Sequence, residues 1–159
     1  EPFAEEEWEN EFTHYLPYIQ NDDFLGVQNY TRSLFGPEGG MPSPEGAELT
    51  QMNYEVYPEA LEHVIRKVAE NFKGTLLVTE NGIATDDDSR RVAFIEKALE
   101  GVQNCIQDGI PVKGYFHWSL LDNFEWQKGY SMTFGLIAVD RSTQTRIPKK
   151  SLTYLGSFR

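Results

Sequence analysis

Three features place this chain among the α/β proteins with a parallel sheet. The run Leu76-Leu77-Val78-Thr79 is apolar and β-branched and is bounded by Gly74 and Gly82, the pattern of a buried parallel strand. Two further strand-like runs, residues 24–31 and 112–120, stand before and after it. The two intervening segments carry apolar residues at helical spacing. Strand, helix, strand, helix, strand makes two consecutive βαβ units joined by right-handed crossovers.

The elements follow in order. Residues 1–20 are acidic and aromatic, and Phe3, Trp8, Phe12, Tyr15 and Leu16 recur at roughly helical spacing. They predict a peripheral helical segment ended by Pro17, with a tethering arm as the alternative. Phe24-Leu25-Gly26-Val27-Gln28-Asn29-Tyr30-Thr31 is the first strand. Residues 35–48 contain Gly36, Pro37, Gly39, Gly40, Pro42, Pro44 and Gly46, which predicts one long loop. Pro58 suits a first helical turn, Leu61, Val64, Ile65, Val68 and Phe72 form its stripe, and Gly74 is the expected cap. The second strand covers residues 75–80. Asp86-Asp87-Asp88-Ser89 then provides an N-cap and negative charge for a helix whose expected buried stripe is Val92, Ile95, Leu99, Val102 and Ile106, with Gly109 at its end. After the third strand, residues 134–139 read as extended, residues 140–146 as a turn, and residues 148–158 as a short helix. Residues 1–159 form a single domain on this reading.

Composition narrows the function. A net charge of −11 and a pI of about 4.7 disfavour nucleic acid and anionic lipid as partners. No apolar stretch approaches the ~20 residues that span a membrane. Cys105 is the single cysteine, so no internal disulfide calls for an oxidising compartment, and a cytoplasmic location is the expectation. No glycine-rich phosphate loop follows a strand. His14, His63 and His117 lack metal-ligand spacing, so no cofactor or metal is expected.

The three strands end in three polar clusters: Gln28-Asn29-Tyr30, Thr79-Glu80-Asn81, and His117-Trp118-Ser119 followed by Asp122, Glu125 and Trp126. Parallel strands bring their C-terminal ends to one side, so the clusters should face a common cleft. Carboxylates and amides hydrogen-bond hydroxyls, and Trp rings stack on the apolar faces of a pyranose. A sugar site is therefore the chemistry these residue types suit. Taken singly, Glu80 is also a plausible turn residue, Tyr30 a satisfied core phenol, His117 a packed histidine, and Trp118 and Trp126 core residues. Their convergence favours the site.

Longer stretches carry a resemblance. Leu77-Val78-Thr79-Glu80-Asn81-Gly82 resembles the nucleophile motif Ile/Val-Thr-Glu-Asn-Gly of glycoside hydrolase family 1, the β-glucosidase family. Residues 114–126, Gly-Tyr-Phe-His-Trp-Ser-Leu-Leu-Asp-Asn-Phe-Glu-Trp, are similar to that family's strand-eight signature almost residue for residue. Residues 23–31 are similar to its strand-six segment, and Phe134-Gly135-Leu136, Val139-Asp140 and Pro148-Lys149 match its C-terminal run. The agreement runs through about residues 22–155.

The resemblance implies strands six to eight of a (β/α)₈ TIM barrel, incomplete in this chain, and a retaining β-glycosidase acting on terminal β-D-glycosides. It implies Glu80 as nucleophile and Tyr30 as the tyrosine that hydrogen-bonds it. Glu125 and Trp126 would bind sugar hydroxyls, Trp118 would be the stacking platform, and Phe134 would lie near the hydroxymethyl group. Gln28 stands where the commoner pattern has Asn, within Gln28-Asn29-Tyr30 against Asn-Tyr-Tyr, and still offers an amide. The family's acid/base glutamate lies in an Asn-Glu-Pro motif on strand four, and no such tripeptide occurs in this sequence. A barrel takes ~250 residues. The expectation is a C-terminal segment that carries the nucleophile but not the acid, with the N-terminal part of the barrel as a partner. A non-catalytic sugar-binding remnant and one half of a split enzyme stay open as alternatives.

Overall fold

The computed structural model describes residues 2–158. Its centre is a three-stranded parallel sheet in the order β1-β4-β5, comprising β1 (Phe24–Gln28), β4 (Thr75–Asn81) and β5 (Val112–His117). Between them run α3 (Ala60–Asn71) and α4 (Asp88–Gln107), which complete the two expected βαβ units. The sheet is not closed into a barrel among the described residues.

The core lies on one side of this sheet. Val27, Leu76, Val78 and Val112 pack with Leu61, Ile65, Val68 and Phe72 around α3 and with Phe94, Ala98, Val102 and Cys105 of α4. The sequence pattern had suggested that β4 is buried on both faces. Instead its residues alternate, with Leu76 and Val78 buried and Leu77 and Thr79 half-exposed. On the neighbouring strands Phe24 is 50% and Phe116 59% exposed. The apolar run is therefore real, but only one of its faces is covered among the described residues.

Several boundaries differ from expectation for local reasons. The N-terminal helix α1 (Pro2–Glu11) stops before Pro17, and Glu1 lies outside the described residues. A 3₁₀ turn (Thr13–Tyr15) follows, and Pro17 sits in the first turn of α2 (Leu16–Ile19) rather than ending a helix. Trp8, Phe12, Leu16 and Ile19 pack against the core, while Tyr15 points outward. The β1 strand stops at Gln28 instead of running to Thr31. The glycine-rich loop contains a hairpin, β2 (Leu34–Gly36) with β3 (Gly39–Met41), whose turn uses Gly39 at φ +110°. The α3 helix is ended by Phe72 in extended conformation, not by Gly74.

Asp87 caps α4 by accepting from the Ser89 N–H at 2.9 Å, and Gly109 follows its end at φ +86°. Its buried face, however, is Arg91, Phe94, Ile95, Ala98, Gly101, Val102 and Cys105. Of the predicted stripe only Ile95 and Val102 are buried, and Ile106 is 50% exposed. The helix is rotated because Arg91 goes inside. After β5, residues 118–122 leave the sheet and run beside residues 134–137. An antiparallel pair, β6 (Ile137–Val139) and β7 (Arg146–Pro148), precedes α5 (Lys150–Leu155), which is shorter than residues 148–158.

A polar seam joins α4, α5 and the loops at the strand ends. The fully buried Arg91 guanidinium donates to Asp88 Oδ1 and to the Thr85 carbonyl, each at 2.5 Å, and to the Thr133 carbonyl at 2.6 Å. Asp88 also accepts from the Ser151 N–H at 2.9 Å and its hydroxyl at 2.6 Å. Burial pushes the Asp88 carboxyl up, but these Ser151 bonds and the Arg91 charge outweigh it and hold it below its ordinary value. Lys149 Nζ reaches Asp122 Oδ1 at 3.0 Å and the Gly135 carbonyl at 2.7 Å. His117 sits beside these cations, and burial together with the Arg91 charge pulls its pKa from 6.5 to about 3.

Two outcomes test this seam. Arg91→Leu strips Asp88 of its cation and the Thr85 carbonyl of its donor, while the Thr133 carbonyl keeps only the Thr85 N–H, and should lower unfolding free energy by about 3–5 kcal/mol in urea titration. For His117, the unfolded ring takes its proton near pH 6.5 and the folded ring only near about 3. The stability held in the neutral ring is thus full above pH 6.5 and is lost as pH falls from 6.5 towards 3. Urea midpoints measured across that window should decline less steeply for His117→Gln than for the parent chain.

Candidate active site

The site grows out of the end of β4. Val27 pairs with Val78, but Gln28 pairs with Glu80, so Thr79 is an extra residue in that ladder. On the other edge Val78 pairs with Tyr115 and Asn81 with His117, again one residue extra on β4. A bulge bends a strand and re-aims the side chain at its end. Here the side chain so placed is Glu80, half-exposed at the C-terminal end of the sheet.

Glu80 faces a cavity of about 260 Å³ lined by Tyr30, Met52, Tyr54, Trp118, Glu125, Trp126 and Phe134. The Tyr30 hydroxyl donates to Glu80 Oε2 at 2.6 Å, a short charge-assisted bond. Burial, and then this bond to the carboxylate, raises the Tyr30 pKa well above its ordinary value, so the phenol keeps its proton and remains the donor. Phe134 is buried and meets the Tyr30 ring edge-on, with centroids 6.0 Å apart. This contact fixes the phenol from behind.

The opposite wall comes from beyond β5. Ser119 donates its N–H to the Phe134 carbonyl at 3.3 Å, and its own carbonyl accepts from Leu136 at 2.9 Å. Trp118 is thereby set beside Phe134. Gly82 lets this segment approach, since a Cβ there would run into the Trp118 carbonyl. The loop bearing Glu125 and Trp126 folds on itself through the Glu125 N–H to Gly129 carbonyl bond of 2.7 Å, with a return bond of the same length. Asp122 anchors it by accepting from the Gly135 N–H at 2.7 Å and from Lys149. Trp126 is 81% exposed, so its ring stands at an open rim.

Six of the seven residues singled out in the sequence therefore line one cavity. Gln28 does not: it is exposed and borders a separate groove with Trp8 and Phe12, although it lies opposite Glu80 in the ladder. Met52 and Tyr54 were not anticipated. They arrive because Arg32 grips Glu55 bidentately at 2.9 and 2.8 Å while stacking on Tyr57, and because Gln51 Oε1 accepts from both the N–H and hydroxyl of Thr133 at 2.9 Å. Two opposite charges 23 residues apart in loops are too faint a signal to find that pairing from sequence.

A cavity lined by a carboxyl group bonded to a phenol, a second acidic side chain and two indole rings has the groups that hydrogen-bond and stack on a polyol. Comparisons with known proteins show the family. The sequence profile of the family described as glycosyl hydrolase family 1 matches residues 12–159. Beta-glucosidase A of Thermotoga maritima is 38% identical over 144 residues, covering 81% of this chain and 32% of the relative. A 1,4-beta-D-glucan glucohydrolase of Thermotoga neapolitana is 37% identical over 147 residues, covering 83% and 33%. Among solved structures, beta-glycosidase BGL167 superimposes with a TM-score of 0.95 at 47% identity, covering 99% of this chain and 38% of that one. A beta-glycosidase from Pyrococcus horikoshii superimposes with a TM-score of 0.84 at 34% identity, covering 94% and 41%. The chain spans about a third of the length of the curated relatives it matches. The superimposed family 1 glycosidases are TIM barrels, of which this chain forms a partial, unclosed α/β portion. By sequence and by fold, the chain belongs to glycosyl hydrolase family 1.

Proposed function

We propose that this chain is the C-terminal portion of a retaining β-glycosidase, contributing strands six to eight of the barrel as β1, β4 and β5. The observation that carries the proposal is the 2.6 Å bond from Tyr30 to Glu80 at the mouth of a cavity walled by Trp118, Trp126 and Glu125. A turn residue needs no part-buried phenol aimed at its carboxyl group. A nucleophile does, because the bond orients one oxygen while the other is free to attack.

On this reading Glu80 attacks the anomeric carbon of a terminal β-glucoside or related β-glycoside through an oxocarbenium-like transition state. The glycosyl-enzyme that forms is later opened by water. Trp118 supplies the face on which the sugar stacks, Glu125 and Trp126 take its outer hydroxyls, and Phe134 lies towards the hydroxymethyl group. Gln28, beside Glu80 in the ladder, turns its amide to a hydroxyl only once its surroundings are completed by the rest of the barrel. Retention needs a second carboxyl ~5–5.5 Å from the nucleophile as acid and base. The sequence has no Asn-Glu-Pro motif to provide it, so that group comes from the N-terminal part of the barrel.

Residues 1–159 alone should therefore turn over an unactivated β-glucoside at least ~10²–10⁴-fold more slowly than the complete barrel. Completion can be achieved with the chain's own upstream segment or with a chimaera carrying the corresponding upstream part of BGL167. In the completed protein, Glu80→Gln should abolish covalent trapping by a mechanism-based 2-fluoro sugar while leaving binding of a neutral glycone inhibitor intact. Ordinary turnover by the isolated chain, or trapping that survives Glu80→Gln, would overturn this assignment. A purely sugar-binding protein would show the same inhibitor affinity and no trapping in the parent sequence.

A further inference from the structure

The bulge that aims Glu80 interrupts the β1–β4 and β4–β5 ladders at the place where the geometry matters most. Beyond it, the three strand ends are joined by one side chain. Asn81 is fully buried, and its Nδ2 donates to the Asn29 carbonyl at 2.7 Å while its Oδ1 accepts from the Tyr115 hydroxyl at 2.8 Å. The backbone completes the lacing: the Asn29 N–H donates to the Glu80 carbonyl at 3.1 Å, and the Trp118 N–H donates to the Asn81 carbonyl at 2.8 Å. Asn29 is thus held at both its N–H and its carbonyl, and Tyr30 is the next residue in the chain. Neither Asn81 nor Tyr115 lines the cavity that contains Glu80.

We propose that the Asn81 carboxamide, oriented by the Tyr115 hydroxyl, is a positioning group that sets the register between the Glu80 carboxylate and the Tyr30 phenol across the bulge. The inference rests on the reading of Glu80 as nucleophile. The carboxamide has one donor edge and one acceptor edge, and the two bonds use both. With the Tyr115 hydroxyl removed, nothing on the Oδ1 side tells the amide which way to face, and a flipped amide would set its oxygen against the Asn29 carbonyl. Tyr115 suits the task because burial raises its pKa well above the ordinary value, which keeps it a donor throughout the working pH range. His117 Nδ1 lies 3.4 Å from the same hydroxyl, on a ring that burial keeps neutral. The Tyr115 hydroxyl lies nearer to Asn81 Oδ1, at 2.8 Å against 3.4 Å, and directs its proton there.

The experiment uses the completed barrel, with Glu80→Gln as the control for the nucleophile reading. Tyr115→Phe removes one oxygen outside the cavity, and Asn81→Asp keeps the shape of Asn81 while deleting its donor. Each should slow the first-order step of trapping by a 2-fluoro glucoside roughly ten- to a hundredfold, as a displaced reacting group does. The affinity of a non-covalent glycone inhibitor should stay within about twofold of the parent. The double variant should be no slower than Asn81→Asp, since Tyr115 acts through Asn81. Equal trapping in Tyr115→Phe and the parent, or a parallel fall in trapping and inhibitor affinity, overturns the positioning role. Should Asn81→Asp fail to fold, Tyr115→Phe decides alone. Trapping that persists in Glu80→Gln overturns the nucleophile reading itself, whereas an inert Glu80→Gln with an unaffected Tyr115→Phe overturns only the clamp.

Discussion

Everything in this chain is referred to the central strand β4, hydrogen-bonded on both edges to parallel neighbours. Parallel pairing forces the C-terminal ends of β1, β4 and β5 to one side, and the crossovers α3 and α4 put the core on one face. Once those two conditions hold, Tyr30, Glu80 and Trp118 must converge, because each follows or ends a strand on the same side. The single extra residue in β4 then sets which of Thr79, Glu80 and Asn81 looks into the cavity and which looks into the protein. Glu80 goes outward and Asn81 inward, so one strand end supplies both the carboxyl group that faces the cavity and the buried amide behind it.

The polar seam behind the site follows from where α4 lies. Arg91 is the largest fully buried side chain, and its hydrogen bonds hold the loops after β4 and before β6 to the helix that separates them in sequence. A buried ion pair is an uncertain source of stability, since desolvating the charges offsets much of their attraction. What the Arg91 cluster provides is a fixed back wall. Burial beside Arg91 and Lys149 lowers the proton affinity of His117, which makes it a packing group and a weak base. Burial and the nearby Arg91 also push the Lys149 pKa down, but its bonds to Asp122 and Gly135 keep it tied to the loop that carries Glu125.

The face of the sheet away from the helices is half-exposed and apolar, and β1 and β5 each pair along only one edge among the described residues. Unpaired edges and an open apolar face favour association with further strands. Relatives about three times as long are what this geometry would lead one to look for, and they are what the comparisons contain. The same face would become a barrel interior, where Phe24, Leu77 and Phe116 belong as filling side chains rather than surface residues.

By itself, the sequence determined the order of the central strands and helices, an N-cap for α4 within residues 86–89 and its end at Gly109, the polar strand ends and the family. These are local signals, or motifs long enough to be read without coordinates. It did not determine the hairpin at residues 34–41, the side on which α4 is buried, or the presence of Met52 and Tyr54 in the cavity. The first two turn on what packs against them: a glycine-rich stretch reads alike as loop or hairpin, and Arg91 counts as polar until Asp88 and two carbonyls satisfy it. Met52 and Tyr54 depend on bonds such as Arg32 to Glu55 and Gln51 to Thr133, between residues remote in the chain. Asn81 is the clearest case. It looked like a polar residue ending a strand beside Glu80, and only the tertiary structure, by bringing the Asn29 carbonyl and the Tyr115 hydroxyl to its two edges, made it the brace between them.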